Sequence, residues 1–128
     1  MNSVKLIFVV DDDPVINTLV ARRLSSEGYT VVTFINGEDC LKALGRNPDL
    51  IILDYLFYSD KGQMMNGMEV FDRIKEALPD LPVIMLSGQE KGEIVLELAR
   101  KGIEDYIIKD NNLADNLSTV IAEHFKRN

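Results

Sequence analysis

The chain has one cysteine, Cys40, so no internal disulfide can form. Its place in an apolar helical stretch predicts a buried, chemically quiet thiol. The sole histidine, His124, lies near the C-terminal end and far in sequence from the acidic clusters, so a partly exposed, non-catalytic side chain is expected. Cations are scarce as well: 14 lysines and arginines stand against 21 acids, for a formal charge of -7. That balance repels nucleic acid and anionic lipid, and direct DNA binding is not expected. Met1 to Phe8 holds one lysine and a short apolar run that leads into aspartates, unlike a signal peptide or a membrane span. A cytoplasmic protein without membrane insertion is the simple expectation. Repeats, low-complexity tracts and linkers are missing too, which predicts a single domain over 1–128.

Apolar mass is present: 46% of the residues are hydrophobic, enough for a core. Short runs rich in Val and Ile recur at Leu6 to Val10, Thr30 to Phe34, Leu50 to Leu53, Val83 to Leu86 and Tyr106 to Ile108. Each is too short for a typical helix, and four lack polar/apolar alternation, as strands covered on both faces require. Helical spacing fills the intervals. Ile16, Leu19, Val20 and Leu24 predict a first helix capped by Asp13, opened by Pro14 and closed by Gly28. Leu41 and Leu44 predict a second that ends near Gly45. Val70, Phe71, Ile74 and Leu78 predict a third that stops at Pro79, and Ile94, Val95, Leu98 and Ala99 a fourth that ends at Gly102. Leu113, Leu117, Val120, Ile121 and Phe125 predict the fifth. Five strands alternating with five helices describe a doubly wound α/β domain around a parallel sheet.

In such sheets ligands bind at the carboxyl ends of the strands. The first strand runs into Asp11, Asp12 and Asp13, the third ends on Asp54, the fourth on Ser87, and Lys109 follows the fifth. Two carboxylates about 4 Å apart repel by about 4 kcal/mol at an effective dielectric of 20, so a cluster calls for a cation or raised pKa values. Oxygen ligands with room for water and phosphate suit Mg²⁺. With metal and lysine neutralising the transferring group, Asp54 is the expected nucleophile toward phosphorus, and Ser87 can bind the phosphoryl oxygens. Asp13 is expected to serve only as a helix cap.

Val9-Val10-Asp11-Asp12-Asp13-Pro14, Leu53-Asp54, Gly67-Met68-Glu69-Val70, Leu81-Pro82-Val83-Ile84-Met85-Leu86-Ser87 and Asp105-Tyr106-Ile107-Ile108-Lys109 together resemble a response-regulator receiver domain of two-component signalling over almost the whole chain. The resemblance implies a flavodoxin-like fold with strand order 2-1-3-4-5. It implies phosphorylation of Asp54 by a histidine kinase or histidine phosphotransfer partner, with Mg²⁺ held by Asp11, Asp12, Asp54 and the backbone carbonyl of Leu56. It also implies a switch in which Ser87 and Tyr106 change a surface read by a downstream protein target or output domain. Leu56 and Gln89 are expected to flank the attacking water and set the phosphoryl lifetime. With no histidine expected near the acidic cluster, the sequence offers no internal phosphohistidine donor, which agrees with a protein that receives its phosphoryl group from elsewhere.

Three features depart from the family pattern. Asp110 replaces the proline that usually follows the lysine. Leu56 stands where a polar side chain is common. Thirteen positions separate Asp54 from Gly67, where about eight are usual, so the segment from Tyr55 to Asn66 carries roughly five extra residues. Its Phe57, Tyr58, Met64 and Met65 are expected to pack back on the domain, with a lid or partner surface as the sharper alternative. Three rivals remain at this level. A phosphohydrolase would use Asp11 in the pattern Asp11, Asp13, Val15. A flavin module is disfavoured by the carboxylates in its phosphate loop, and a pseudo-receiver would keep the fold without phosphorylation.

Overall fold

The computed structural model describes residues 3–55, 66–88 and 92–127. The strands are β1 (Leu6–Val10), β2 (Thr30–Phe34), β3 (Leu50–Asp54), β4 (Val83–Ser87) and β5 (Asp105–Ile108). The helices are α1 (Pro14–Ser26), α2 (Gly37–Lys42), α3 (Gly67–Ala77), α4 (Gly92–Arg100) and α5 (Leu113–Arg127). All four strand pairings are parallel and the sheet order is β2-β1-β3-β4-β5, the flavodoxin-like arrangement that the resemblance implies. All five residues of β3 and of β4 are buried, and β1 is buried from its second residue onward. The outer strands β2 and β5 are only partly covered, which is why Thr30 and Thr33 are tolerated in β2.

Alternate strand residues feed two cores, one on each face of the sheet. Phe8, Val10, Ile51, Leu53, Val83 and Met85 meet α3 through Val70, Phe71 and Ile74. Ile7, Val9, Leu50, Ile52, Ile84 and Leu86 meet α1 and α5 through Val20, Leu24, Leu113, Leu117 and Ile121. Cys40 is fully buried in the first core, and burial pushes its thiol up to about 12, so it stays protonated and inert.

Local chemistry sets the helix ends. The Asp13 carboxylate accepts the Val15 N–H at 2.9 Å, Asn36 caps α2, and Asn66 accepts the Glu69 N–H at 2.9 Å to cap α3. Gly28 and Gly102 follow α1 and α4 with φ of 97° and 90°, backbone that favours glycine.

Three helix expectations need correction. The second helix stops at Lys42, and Leu44 lies in a separate 3-10 turn, Leu44–Arg46, that closes on left-handed Asn47. In α4 only Leu98 is buried; Ile94 packs from the margin and Ala99 faces solvent. In α1 the buried face is Asn17, Val20 and Leu24, while Leu19 is 45% exposed. Steps of three and four residues from Leu24 lead through Val20 to Asn17, and Leu19 lies a quarter-turn or more off that line.

Candidate functional site

Four strand ends meet at the carboxyl edge because adjacent parallel strands stop in register. Asp54 pairs with Leu86, and Ser87 with Ile108, so β3, β4 and β5 terminate together. The ladder then continues past the strands: the Tyr55 N–H donates to the Leu86 carbonyl at 2.8 Å and the Lys109 N–H to the Ser87 carbonyl at 2.8 Å. Asp54 and Lys109 are thereby held on backbone that cannot drift independently.

Their side chains converge. Lys109 Nζ lies 2.8 Å from Asp11 Oδ2 and 2.9 Å from Asp54 Oδ1. Asp11 is fully buried, and its Oδ1 accepts the Asp13 N–H at 2.9 Å. Asp54 is 2% exposed and Ser87 is buried beside it at the next strand end. Burial works to lower the Lys109 pKa, but hydrogen bonds to Asp11 and Asp54 and attraction to both carboxylates outweigh it, so the amine is held above its ordinary value. One ammonium neutralises only one of the three carboxylates.

Oxygen atoms of Asp11, Asp12 and Asp54 all lie within 4.8 Å of one another. Three convergent carboxylate oxygens with surplus negative charge fit a hard divalent cation, and nothing in this donor set suits a soft one. Asp11, Asp12, Asp54 and Lys109 are therefore brought into one cluster, with Ser87 on the adjoining strand end. Tyr106 stands near the middle of β5, partly buried against the first core, and its neighbour across the sheet is Met85. Leu56 and Gln89 lie outside the described residues, as do Phe57, Tyr58, Met64 and Met65. His124 is remote from the cluster, with Nδ1 3.2 Å from Glu104 Oε2.

Asp110, in place of the family proline, builds its own turn. Its N–H reaches the Ile108 carbonyl at 3.0 Å, its carboxylate accepts the Asn112 N–H at 2.8 Å, and its carbonyl accepts from Leu113 at 3.1 Å. No cis peptide bond occurs among the described residues. An aspartate turn thus leads the chain from Lys109 into α5.

Two residues that support the cluster escaped the reading of side-chain chemistry. Gly67 opens α3 against the end of β3: its N–H donates to the Tyr55 carbonyl at 3.1 Å, and a Cβ there would collide with the Asp54 carbonyl oxygen. Asn17 sits inward on α1, with its amide on the carbonyls of Asp11 and Phe34. The only sequence signal for Asn17 is its spacing from Val20 and Leu24, which hydropathy alone passes over.

Comparison with known proteins agrees with this geometry. The response regulator receiver domain profile matches residues 7–121. The chain is 36% identical over 115 residues to the nitrogen assimilation regulatory protein NtrX of Azorhizobium caulinodans, covering 89% of this chain and 24% of that protein. It is 29% identical over 116 residues to the DNA-binding transcriptional regulator NtrC of Escherichia coli, covering 90% of this chain and 24% of that protein. This chain thus spans about a quarter of these relatives. Among solved structures, the receiver domain of NtrX from Brucella abortus superposes with a TM-score of 0.84 at 34% identity, over 95% of this chain and 99% of that one. The signal receiver domain of a LuxO repressor protein from Vibrio parahaemolyticus gives 0.85 at 28% identity, over 98% and 92%. Convergent aspartates on a parallel sheet of this order, together with these matches, establish that the chain belongs to the response regulator receiver domain family.

Proposed function

We propose that Asp54 accepts a phosphoryl group from a phosphohistidine on a histidine kinase or histidine phosphotransfer protein, in a Mg²⁺-dependent reaction. The observation that carries this reading is the sharing of Lys109 between Asp11 and Asp54 inside a cluster of three carboxylates. Asp11, Asp12 and Asp54, with the Leu56 carbonyl, would hold the cation, which supplies positive charge against the phosphoryl oxygens. An Asp54 oxygen forms the new P–O bond as the P–N bond to the donor imidazole breaks, and the leaving nitrogen takes a proton from solvent. Lys109 can follow the charge onto the equatorial oxygens without leaving its anchored backbone. Ser87 binds one of those oxygens, and Tyr106 repacks as Ser87 moves, changing the surface around β5. Leu56 and Gln89 tune the return of water to the phosphorus. The chain catalyses only its own phosphorylation and dephosphorylation.

In the rival role of nucleophile Asp11 would have to give up one of two contacts, since Lys109 and the Asp13 N–H engage both of its oxygens. A donor surface adjoins the cluster. Val15 is 70% exposed and Leu19 45%, four residues apart on α1, which starts at Pro14 just past the Asp11–Asp12 pair. Such large apolar side chains beside a reactive carboxylate suit a protein partner. NtrC of Escherichia coli is a DNA-binding regulator, but the acid excess of -7 in the present chain argues against its own contact with nucleic acid. We therefore assign signalling to a downstream protein target or output domain. Among the described residues no helix is long and apolar enough to cross a membrane, and a cytoplasmic site of action fits the reading.

Incubation with acetyl phosphate and Mg²⁺, followed by mass mapping, tests the proposal. One phosphoryl group on Asp54, lost in Asp54→Asn, is expected. An adduct on Asp11 would favour the phosphohydrolase, and no adduct in the native chain would favour a pseudo-receiver.

A further inference from the structure

Asn17 is a polar residue, 5% exposed, on the inward face of α1 that Val20 and Leu24 continue. Its Nδ2 donates to the Asp11 carbonyl at 2.8 Å and to the Phe34 carbonyl at 3.2 Å. Phe34 O also accepts the Asp11 N–H at 3.0 Å, so one carboxamide ties together the ends of β1 and β2 and the first turns of α1. These two acceptors fix which end of the amide faces the strands, since carbonyl against carbonyl would repel. Asn17 Oδ1 is buried and accepts no hydrogen bond among the described residues. A buried acceptor left so costs about 1–3 kcal/mol, which an aliphatic residue would avoid. Stability of the core alone does not account for an asparagine here.

The Asp11 carbonyl belongs to the peptide that links Asp11 to Asp12. It lies one residue beyond β1, where the ladder to β3 has ended at Val10. Holding that oxygen fixes the ψ angle of Asp11, and a change in that angle alone would carry Asp12 and its carboxylate to a new place relative to Asp11 and alter their spacing. We propose that Asn17 is a positioning residue for the cation cluster: by holding the Asp11–Asp12 peptide plane, it sets the distance between the two carboxylates that receive the metal. This rests on the Mg²⁺-dependent reading above. The residue acts through Asp11 and Asp12 and touches no reacting atom.

Loss of a group that orients metal ligands typically weakens metal affinity by about 10–100-fold. Asn17→Leu keeps the volume and removes the donor, while Asn17→Ser keeps a hydroxyl able to serve one carbonyl. The control is Asp49→Ala, which removes the carboxylate bonded to the Leu6 N–H at 2.7 Å, at the opposite end of β1. Mg²⁺ titration followed by backbone amide NMR shifts gives the dissociation constant, and urea denaturation gives stability. Asn17→Leu is expected to raise the Mg²⁺ dissociation constant about tenfold, Asn17→Ser less, and Asp49→Ala not at all. If Asn17→Leu does not fold, Asn17→Ala serves in its place with the same expectation. A native dissociation constant in the Asn17 variants overturns the proposal, and so does an equal rise in Asp49→Ala. Failure of the native chain to bind Mg²⁺ saturably instead removes the metal reading itself, and this inference with it.

Discussion

At the carboxyl end of the sheet two buried carboxylates share Lys109; at the amino end one carboxylate, Glu104, faces His124 Nδ1 at 3.2 Å and Arg127 Nη2 at 3.4 Å. The amino-end group is wetter, with side-chain exposures of 28% for Glu104 and 69% for Arg127, beside an open cavity of about 570 Å³ that Lys75 and Asp80 also line. The carboxyl-end group is drier and carries negative charge in excess. Folding alone has no use for such an excess, because like charges held together in a low dielectric oppose the compact state. Charge left unbalanced in a dry place marks the working end of the molecule. Charge settled in a wet place marks its scaffold.

The largest expected effect breaks the dry cluster. Lys109→Met leaves the carboxylates uncompensated and should destabilise the fold by about 3 kcal/mol at neutral pH, measured by urea denaturation. Added Mg²⁺ should recover part of that loss. Gly67→Ala comes next, because its Cβ would press on the Asp54 carbonyl oxygen and on Tyr55 backbone, which cannot rotate away. About 2 kcal/mol of stability should be lost, together with most of the acetyl phosphate adduct. At Gly37 the equivalent Cβ meets a Val70 methyl, which a side-chain shift relieves, so Gly37→Ala should cost about 1 kcal/mol and leave the adduct intact.

The pH dependence sharpens the contrast. The Lys109 amine is raised in the folded chain, so its contribution is fully present below the ordinary value of 10.5 and is lost as pH rises through the higher folded value. Denaturation midpoints should fall there for the native chain, and the fall should be shallower in Lys109→Met. The smallest effect belongs to the wet end: Arg127→Ala should change stability by about 0.5 kcal/mol or less. An Arg127 effect as large as that of Lys109 would erase the distinction between the two ends.

Much of this was legible in the sequence, for identifiable reasons. Strands such as Leu50–Asp54 declare themselves because full burial demands an uninterrupted apolar run, and α5 does so because its stripe has no polar gaps. Strand order is a different matter, since nothing local in Leu6–Val10 says that it lies between β2 and β3; only the family resemblance supplied it. The chemistry of Asp11, Asp12, Asp54 and Lys109 could be read because charged residues that end apolar strands are conspicuous. Asn17 could not, because its meaning depends on Phe34, seventeen residues away, and hydropathy assigns an asparagine to solvent. Gly67 was visible as part of a motif, but its packing against Asp54 is a tertiary fact. Leu44 misled because a 3-10 turn places a leucine inward without continuing the helix.

The hydrogen bond from Gly67 to the Tyr55 carbonyl bears on how such a chain can diversify. It joins the two ends of the lengthened stretch at its base, beside Asp54, so both ends are fixed whatever lies between them. For a chain closed at fixed ends, doubling the enclosed length costs only about 0.6 kcal/mol. Five added residues therefore cost less than one misplaced methyl at position 67. Lineages could lengthen, shorten or rewrite that stretch to suit new partners while the carboxylate next to it stays where the chemistry needs it.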